Sequence, residues 1–481
     1  MGSQTSPSAE RPVRVILACD TFPPDINGAA RFAERLAGGL ARSGTEVHVI
    51  AAAPGKDWGE RVELIDGQPV TVHRLRSYRL MQHKTLRFVS PVRMQARIAK
   101  VLRTVQPDAL HLQSHLWIGR FAVRAARSTG VRLIATNHIM PENLIKYSLL
   151  PSWLEAPAMR WAWRDAGRIM RKMDAVTTPT RRAADLLEKA AGLTGVRAIS
   201  CGIDAAKFAN STHTSNAAPR VLFVGRLDAE KRADVLIRAF ARLTDLPDAI
   251  LELIGDGGEK QNFEKLAETL GVSDRVRFLG HVSDAELPKA YERCTVFVMP
   301  SIAELQSIAT MEAMASGRPV IGADAMALPH LVHDGDNGYL FPPDDVDALA
   351  ERLRKVLTAD KAELERMSEN SLHLIQSHDI ERTVAIFNGL YRGGFEHREE
   401  TYDNLPEYLR PIGRLNDALR NRVAGWREEL VEMRERAESQ RERTVELVTE
   451  LAAEVKDQIV ELGQDVANAA KRLRRKRDPD N

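Results

Sequence analysis

Only three cysteines occur in 481 residues, and Cys19, Cys201 and Cys294 lie far apart, without the spacing of a metal site. A disulfide-stapled scaffold is thereby excluded, and a reducing, cytosolic setting is expected. Neither sign of charge dominates: 68 Lys plus Arg stand against 66 Asp plus Glu. That balance gives no global field for nucleic acid, so basic character has to be local. No apolar run approaches the length of a membrane span, and residues 1–12 are polar with no apolar signal core. A disordered N-terminus on a soluble or peripheral protein is the expectation. The length suits two or three domains, and the 44% of hydrophobic residues can fill their cores.

The first half alternates strand and helix. Val13–Cys19 reads as a buried strand, followed by Asp20-Thr-Phe-Pro-Pro-Asp-Ile-Asn-Gly28 and a helix to about Arg42. Strands are expected at 46–51, 70–73, 108–112, 131–136 and 175–178, with helices near 91–105, 118–129 and 180–190. This is one doubly wound domain over 13–209. Gly28 either lets a ligand approach the helix start or is a plain turn glycine. The first loop lacks GxGxxG, which makes a dinucleotide site a weak reading. His111 and His115 are four apart, but on a strand that spacing separates them by about 13 Å, so no metal is assigned there. His138 directly follows the strand at 131–136, which puts it at the carboxyl edge where open α/β sheets take ligands.

Two stretches combine basic and apolar residues: Tyr78–Phe88, and Leu149–Lys172 with Trp153, Trp161, Trp163, Arg160 and Arg164. They suit an anionic membrane surface, or equally a packed aromatic helix with one solvated face.

The polar linker 210–219 opens a second unit over 220–375. Val221–Gly225 is its first strand, and Arg226 and Lys231 follow at the start of a helix, a good anion site without a metal. The loop Gly255-Asp-Gly-Gly258 is either a phosphate contact or a turn. Asp334-Gly-Asp336 offers an Asp-x-Asp, but in a loop late in the domain. Between the strand Thr295–Met299 and the next at 318–321 lies Ser301–Gly317, with Glu304 in a loop and Glu312 in the second turn of a helix. Eight positions apart, two carboxylates on one helix would differ by about 80° and 12 Å, so they are better suited to two ends of an elongated, hydroxyl-rich ligand.

From about residue 400 the alternation stops. Apolar residues from Trp426 to Leu473 recur mainly at three- and four-residue steps among dense Glu and Arg, a coiled-coil-like amphipathic helix. It ends in Lys471-Arg472-Leu-Arg474-Arg475-Lys-Arg477. Membrane binding at about 1 kcal/mol per basic residue, self-association through 426–473, and a solvated end are the readings of this 399–481 extension. A nucleic-acid role lacks any accompanying motif.

Four motifs, PPDINGAARF, VGRLDAEKR (224–232), GDG (255–257) and PSIAELQSIATMEAMASGRPVI (300–321), resemble the retaining glycosyltransferases of family four, over about residues 13–395. The resemblance implies the GT-B architecture, two Rossmann-like domains facing across a cleft, with 376–398 as a terminal helix returning toward the first. It implies a donor site of Gly28, Gly225, Arg226, Lys231, Gly255, Glu304, Gln306, Ser307, Ile308 and Glu312, with His138, Glu304, Arg226 and Lys231 at the reacting centre. Glu304 would meet sugar hydroxyls, Glu312 the ribose, and Arg226 and Lys231 the diphosphate. Asn27-Gly28-Ala29 stands where many relatives carry consecutive glycines. No cofactor and no metal are implied, the donor being a UDP- or GDP-sugar. The Glu304–Gly317 form looks closer to lipid glucosyl- and mannosyltransferases, so transfer of a hexose to a membrane lipid on the inner face of the cell membrane is the expected function. A soluble small-molecule or saccharide acceptor, and a non-catalytic scaffold assembling through the tail, are the alternatives.

Overall fold

The computed structural model describes residues 11–25, 27–79, 87–89, 91, 94–127, 129–141, 152–208 and 218–393. The expectations for residues 1–10, most of the 78–88 stretch, most of the linker, and the 399–481 extension with Lys471, Arg472, Arg474 and Arg475 lie outside them.

The first domain is built on β1 (Arg14–Cys19), β2 (Glu46–Ala52), β3 (Gly59–Ile65), β4 (Gln68–Leu75), the short pair β5 (Ser77–Arg79) and β6 (Arg87–Val89), β7 (Ala109–Leu112), β8 (Arg132–Thr136), β9 (Ala175–Thr178) and β10 (Arg197–Ala198). Its main sheet has the order β10-β9-β8-β7-β1-β2-β4-β3, parallel except for the antiparallel edge strand β3. Parallel strands are buried on both faces, which is why β1 is apolar from Val15 to Cys19 and all four residues of β7, His111 included, are buried. Helices α1 (Gly28–Arg42), α2 (Met94–Val105), α3 (Trp117–Ala126), α4 (Ser152–Met170) and α5 (Arg181–Ala191) connect these strands.

The second domain has β11 (Arg220–Val224), β12 (Ile250–Ile254), β13 (Val276–Gly280), β14 (Val296–Met299), β15 (Val320–Ala323) and β16 (Gly338–Phe341), all parallel, in the order β13-β12-β11-β14-β15-β16. Around it lie α6 (Ala233–Ala241), α7 (Lys260–Thr269), α8 (Leu287–Arg293), α9 (Ile308–Ala315), α10 (Val346–Leu357) and α11 (Lys361–Ile375). The last described helix, α12 (Ile380–Tyr391), leaves this domain and buries Ile380, Val384, Phe387, Leu390 and Tyr391 against Phe32, Leu36 and the first sheet.

The chain therefore crosses between domains twice, and the two crossings bind each other: Ile203 N–H donates to His378 O at 2.8 Å, and Ile380 N–H to Ile203 O at 3.1 Å. Each sheet reverses its strand order beside its first strand, so the loops after β1 and β7, and those after β11 and β14, open at the carboxyl edges where ligands bind.

In α4 the sequence reading needs correction. Trp153 and Trp161 are exposed at 73% and 63%, but Trp163 is buried against Met170, Leu187 and Val196. Residues two apart on a helix point about 200° from each other, so Trp161 and Trp163 cannot share a surface. Trp163 is core, and the exposed stripe is Trp153, Pro157, Arg160, Trp161, Arg164 and Arg168.

Candidate functional site

A cavity of about 280 Å³ lies between the two domains and is walled by the four switch-point loops together with the loops after β8 and β9. The first domain contributes Asp20, Asn27, Gly28, Gln113, Ser114 and His138; the second contributes Arg226, Lys231, Glu304, Gln306 and Ile308.

Each wall follows from local structure. Helix α1 starts here because Asn27 caps it, its Oδ1 accepting from Ala30 N–H at 2.9 Å. A Cβ on Gly28 would meet no atom within 4 Å, so packing does not demand that glycine; its lack of a side chain leaves space in front of the helix start. Helix α3 has no side-chain cap of its own. Asp20 supplies it from the end of β1, accepting from Ile118 N–H at 2.8 Å and from Ser114 Oγ. Burial raises the Asp20 pKa, opposed by those donors.

On the facing wall, Lys231 pairs with Glu304, and Arg226 with Asp228 and, at 2.7 Å, with Glu230. Both side chains of the Lys231–Glu304 pair are largely buried, so a polarised pair stands ready inside the cavity. Lys231 ends the one-turn helix Ala229–Lys231 that precedes α6. The loop after β14 carries Glu304 and is fixed to the first domain by Thr180 Oγ1, which donates to Leu305 O at 3.1 Å.

Four of the sequence-derived residues do not line this cavity. Gly225 and Gly255 belong to two loops packed on each other: a Cβ on Gly255, whose φ is +132°, would lie 1.8 Å from Gly225 O. Gly255 thus has the backbone conformation and close approach that only glycine tolerates. Ser307 is buried as the N-cap of α9, accepting from Thr310 N–H. Glu312 is held by other partners: Arg35 Nη2 donates to Oε1 at 2.8 Å and Tyr291 Oη to Oε2 at 2.9 Å. Gln306 lines the cavity, but its carboxamide grips the crossing chain, accepting from Cys201 N–H at 2.7 Å and donating to Ser200 Oγ at 2.9 Å.

His138 sits in the loop after β8, its ring 4.8 Å from that of Phe32 and its Nε2 3.1 Å from Gln113 Oε1. Burial pushes its pKa down to about 3, so the imidazole is neutral. Sequence reasoning did not single out Asp20, Gln113, Ser114 or Arg35. The first three stand at the ends of β1 and β7, so the carboxyl-edge rule that found His138 could have found them. Among the described residues no group of three or more His, Cys, Asp or Glu could hold a metal, and no helix is long and apolar enough to cross a membrane.

Comparison with known proteins bears on this site. Residues 26–207 match the family model "Glycosyltransferase Family 4", and residues 205–373 match "Glycosyl transferases group 1". A GDP-mannose-dependent alpha-mannosyltransferase of Mycobacterium tuberculosis is 31% identical over 376 residues, covering 74% of this chain and 93% of the relative. The alpha-monoglucosyldiacylglycerol synthase of Acholeplasma laidlawii is 24% identical over 348 residues, 68% of this chain and 85% of its own. Among solved structures, HepE from Anabaena in complex with UDP superposes with a TM-score of 0.62 at 21% identity, over 79% of this chain and all (100%) of that one, a likeness of fold.

Proposed function

Because the chain belongs to the group 1 and family 4 glycosyltransferases of GT-B fold, we propose that it moves a hexose, with retention of anomeric configuration, from a nucleotide diphosphate sugar to a membrane lipid. The observation that carries the transfer is the divided cavity, with Lys231, Arg226 and Glu304 on one wall and His138 and the start of α1 on the other. Breaking the sugar–phosphate bond places negative charge on the diphosphate and positive charge at the anomeric carbon. Arg226 and Lys231 stabilise the first, and preorganised groups act strongly in a site that excludes water. Lys231 then exchanges part of its contact with Glu304 for the phosphate, which frees the carboxylate to orient sugar hydroxyls and oppose the cationic carbon. Glu304 is assigned no covalent role. Glu312 takes the ribose once it gives up Arg35. GDP-mannose is the first donor to test, since the M. tuberculosis relative is named for it, followed by UDP-glucose.

The lipid acceptor rests on the stripe of α4. Two exposed tryptophans among Arg160, Arg164 and Arg168 recur at three- and four-residue steps on one face. Indole rings settle at the headgroup level and guanidinium groups meet anionic lipid. The acceptor is a diacylglycerol-based glycolipid or phosphatidylinositol, and the protein works peripherally on the inner face of the cell membrane. The test is full-length protein with each donor, a lipid extract and a pool of soluble acceptors, followed by mass spectrometry. A lipid heavier by one hexose supports the reading. A hexose found only on a soluble acceptor replaces the lipid, and absence of transfer or hydrolysis from every donor leaves the non-catalytic scaffold.

A further inference from the structure

We infer that Gln113 is a positioning residue that holds His138 as the Nε2–H tautomer, and that this makes the cavity accept a hydroxyl-bearing sugar and refuse an acidic one. The inference rests on the transferase reading for its second half and on geometry alone for its first.

Gln113 is 2% exposed and follows β7 directly. Its carboxamide has two ends with different neighbours. The nitrogen end lies 3.4 Å from both Nδ1 and Nε2 of His111. Those two nitrogens are already engaged, Nδ1 with Tyr391 Oη and Nε2 with Thr136 Oγ1, each at 2.7 Å. Equal distance to both places the amide over the ring, where an N–H is attracted to the π face and a carbonyl oxygen would be repelled. The amide is thus fixed with its oxygen toward His138 Nε2, 3.1 Å away. An oxygen only accepts, so Nε2 must carry the proton. The His138 ring, neutral through burial and set against Phe32, lines the cavity and then has its lone pair on Nδ1.

A neutral Nδ1 can only accept. A sugar hydroxyl donates to it; a carboxylate or sulfonate in the same place would confront a lone pair. His111 is buried and neutral as well, with its pKa pushed down to about 3, so the pair supplies no positive charge to an acidic sugar. Of the charged side chains on this cavity, Arg226 and Lys231 are the ones assigned to the diphosphate, while Asp20 and Glu304 are carboxylates that would repel an acidic sugar.

Two measurements on full-length protein decide the matter. In the wild type, long-range proton–nitrogen correlation spectra of histidine-labelled protein should show His138 protonated on Nε2 from pH 8 down to about pH 5. Gln113→Glu should raise the His138 pKa, because a carboxylate at Nε2 favours the imidazolium, and should make both nitrogens donors. Gln113→Met, which keeps the volume but removes the acceptor, should leave a mixture of tautomers. Calorimetric binding of GDP-mannose or UDP-glucose against their uronic-acid counterparts should then show discrimination falling about tenfold or more in Gln113→Glu. An Nδ1–H tautomer in the wild type overturns the positioning role, whether or not either variant folds. A raised His138 pKa with unchanged discrimination overturns the selection. A wild type that binds no nucleotide sugar overturns the transferase reading and the selection together, and leaves the tautomer result to stand or fall separately.

Discussion

Arg35, on the first helix of one domain, donates to the carboxylate of Glu312 in the other across 2.8 Å, with both side chains mostly withdrawn from water. The remaining Glu312 oxygen takes the Tyr291 hydroxyl, so this one carboxylate joins the two domains. Removing one partner of a buried pair leaves the other charge unsatisfied. Arg35→Met should cost about 2–3 kcal/mol in chemical denaturation, and adding Glu312→Gln should recover most of that. Equal and additive losses in the double-mutant cycle would show the two side chains to be uncoupled.

Lys231 and Glu304 should behave as one unit. Lys231→Met and Glu304→Gln are each expected to lower kcat/KM by about 10²–10³, and the double variant by little more than either alone. Steady-state kinetics with saturating acceptor give the comparison. Turnover by Glu304→Gln at the wild-type rate would remove Glu304 from the reacting centre.

Acid should unfold this protein early. Burial lowers the pKa of His111 and His138 to about 3, and of His115 and His378 to about 4, from an ordinary 6.5. The unfolded chain therefore binds more protons below about pH 6.5, and stability rises with pH through that window. On acidification from 6.5 toward 4 the stability contributed by these four neutral rings is lost. Denaturant midpoints between pH 7.5 and 4.5 should fall with a slope that approaches the uptake of about four protons near pH 5, and a flat profile would contradict the burial of the rings.

Trp153 and Trp161 separate surface from core in one experiment. Changing both to Ser should leave stability within about 0.5 kcal/mol while reducing co-flotation with anionic vesicles several-fold. Trp163→Ala should instead cost about 3–5 kcal/mol. Undiminished flotation by the double variant would take the membrane away from α4.

Where a side chain's role is decided by its own neighbours in sequence, the chain announced it. Cys19 and Thr136 end apolar runs, and a run that ends at a sheet's carboxyl edge hands the next residues to the ligand side, which pointed to Gly28, His138, Arg226 and Glu304. The edge strand β3 was not legible, because Val62 and Leu64 are exposed at 67% and 78% among charged residues and leave no buried periodicity. Arg35 was not legible either: nothing in 28–42 distinguishes it from Arg31 or Arg42, and its partner is 277 residues away. Gln113 and Asp20 owe their importance to tertiary contacts with His138 and α3. The Trp163 error has the same origin, since composition sees two tryptophans side by side where the helix turns them apart.

Helix α12 places the end of the described chain in the core of the first domain, beside Phe32 and Leu36. As residues leave the ribosome in order, residues 13–209 meet solvent with that part of their core open. The gap closes only after all of 220–375 has been made and has brought Ile380–Tyr391 back. The first domain is thus completed last, although it begins first, and a chain stopped at residue 375 would release two exposed apolar faces rather than one finished domain and one missing tail.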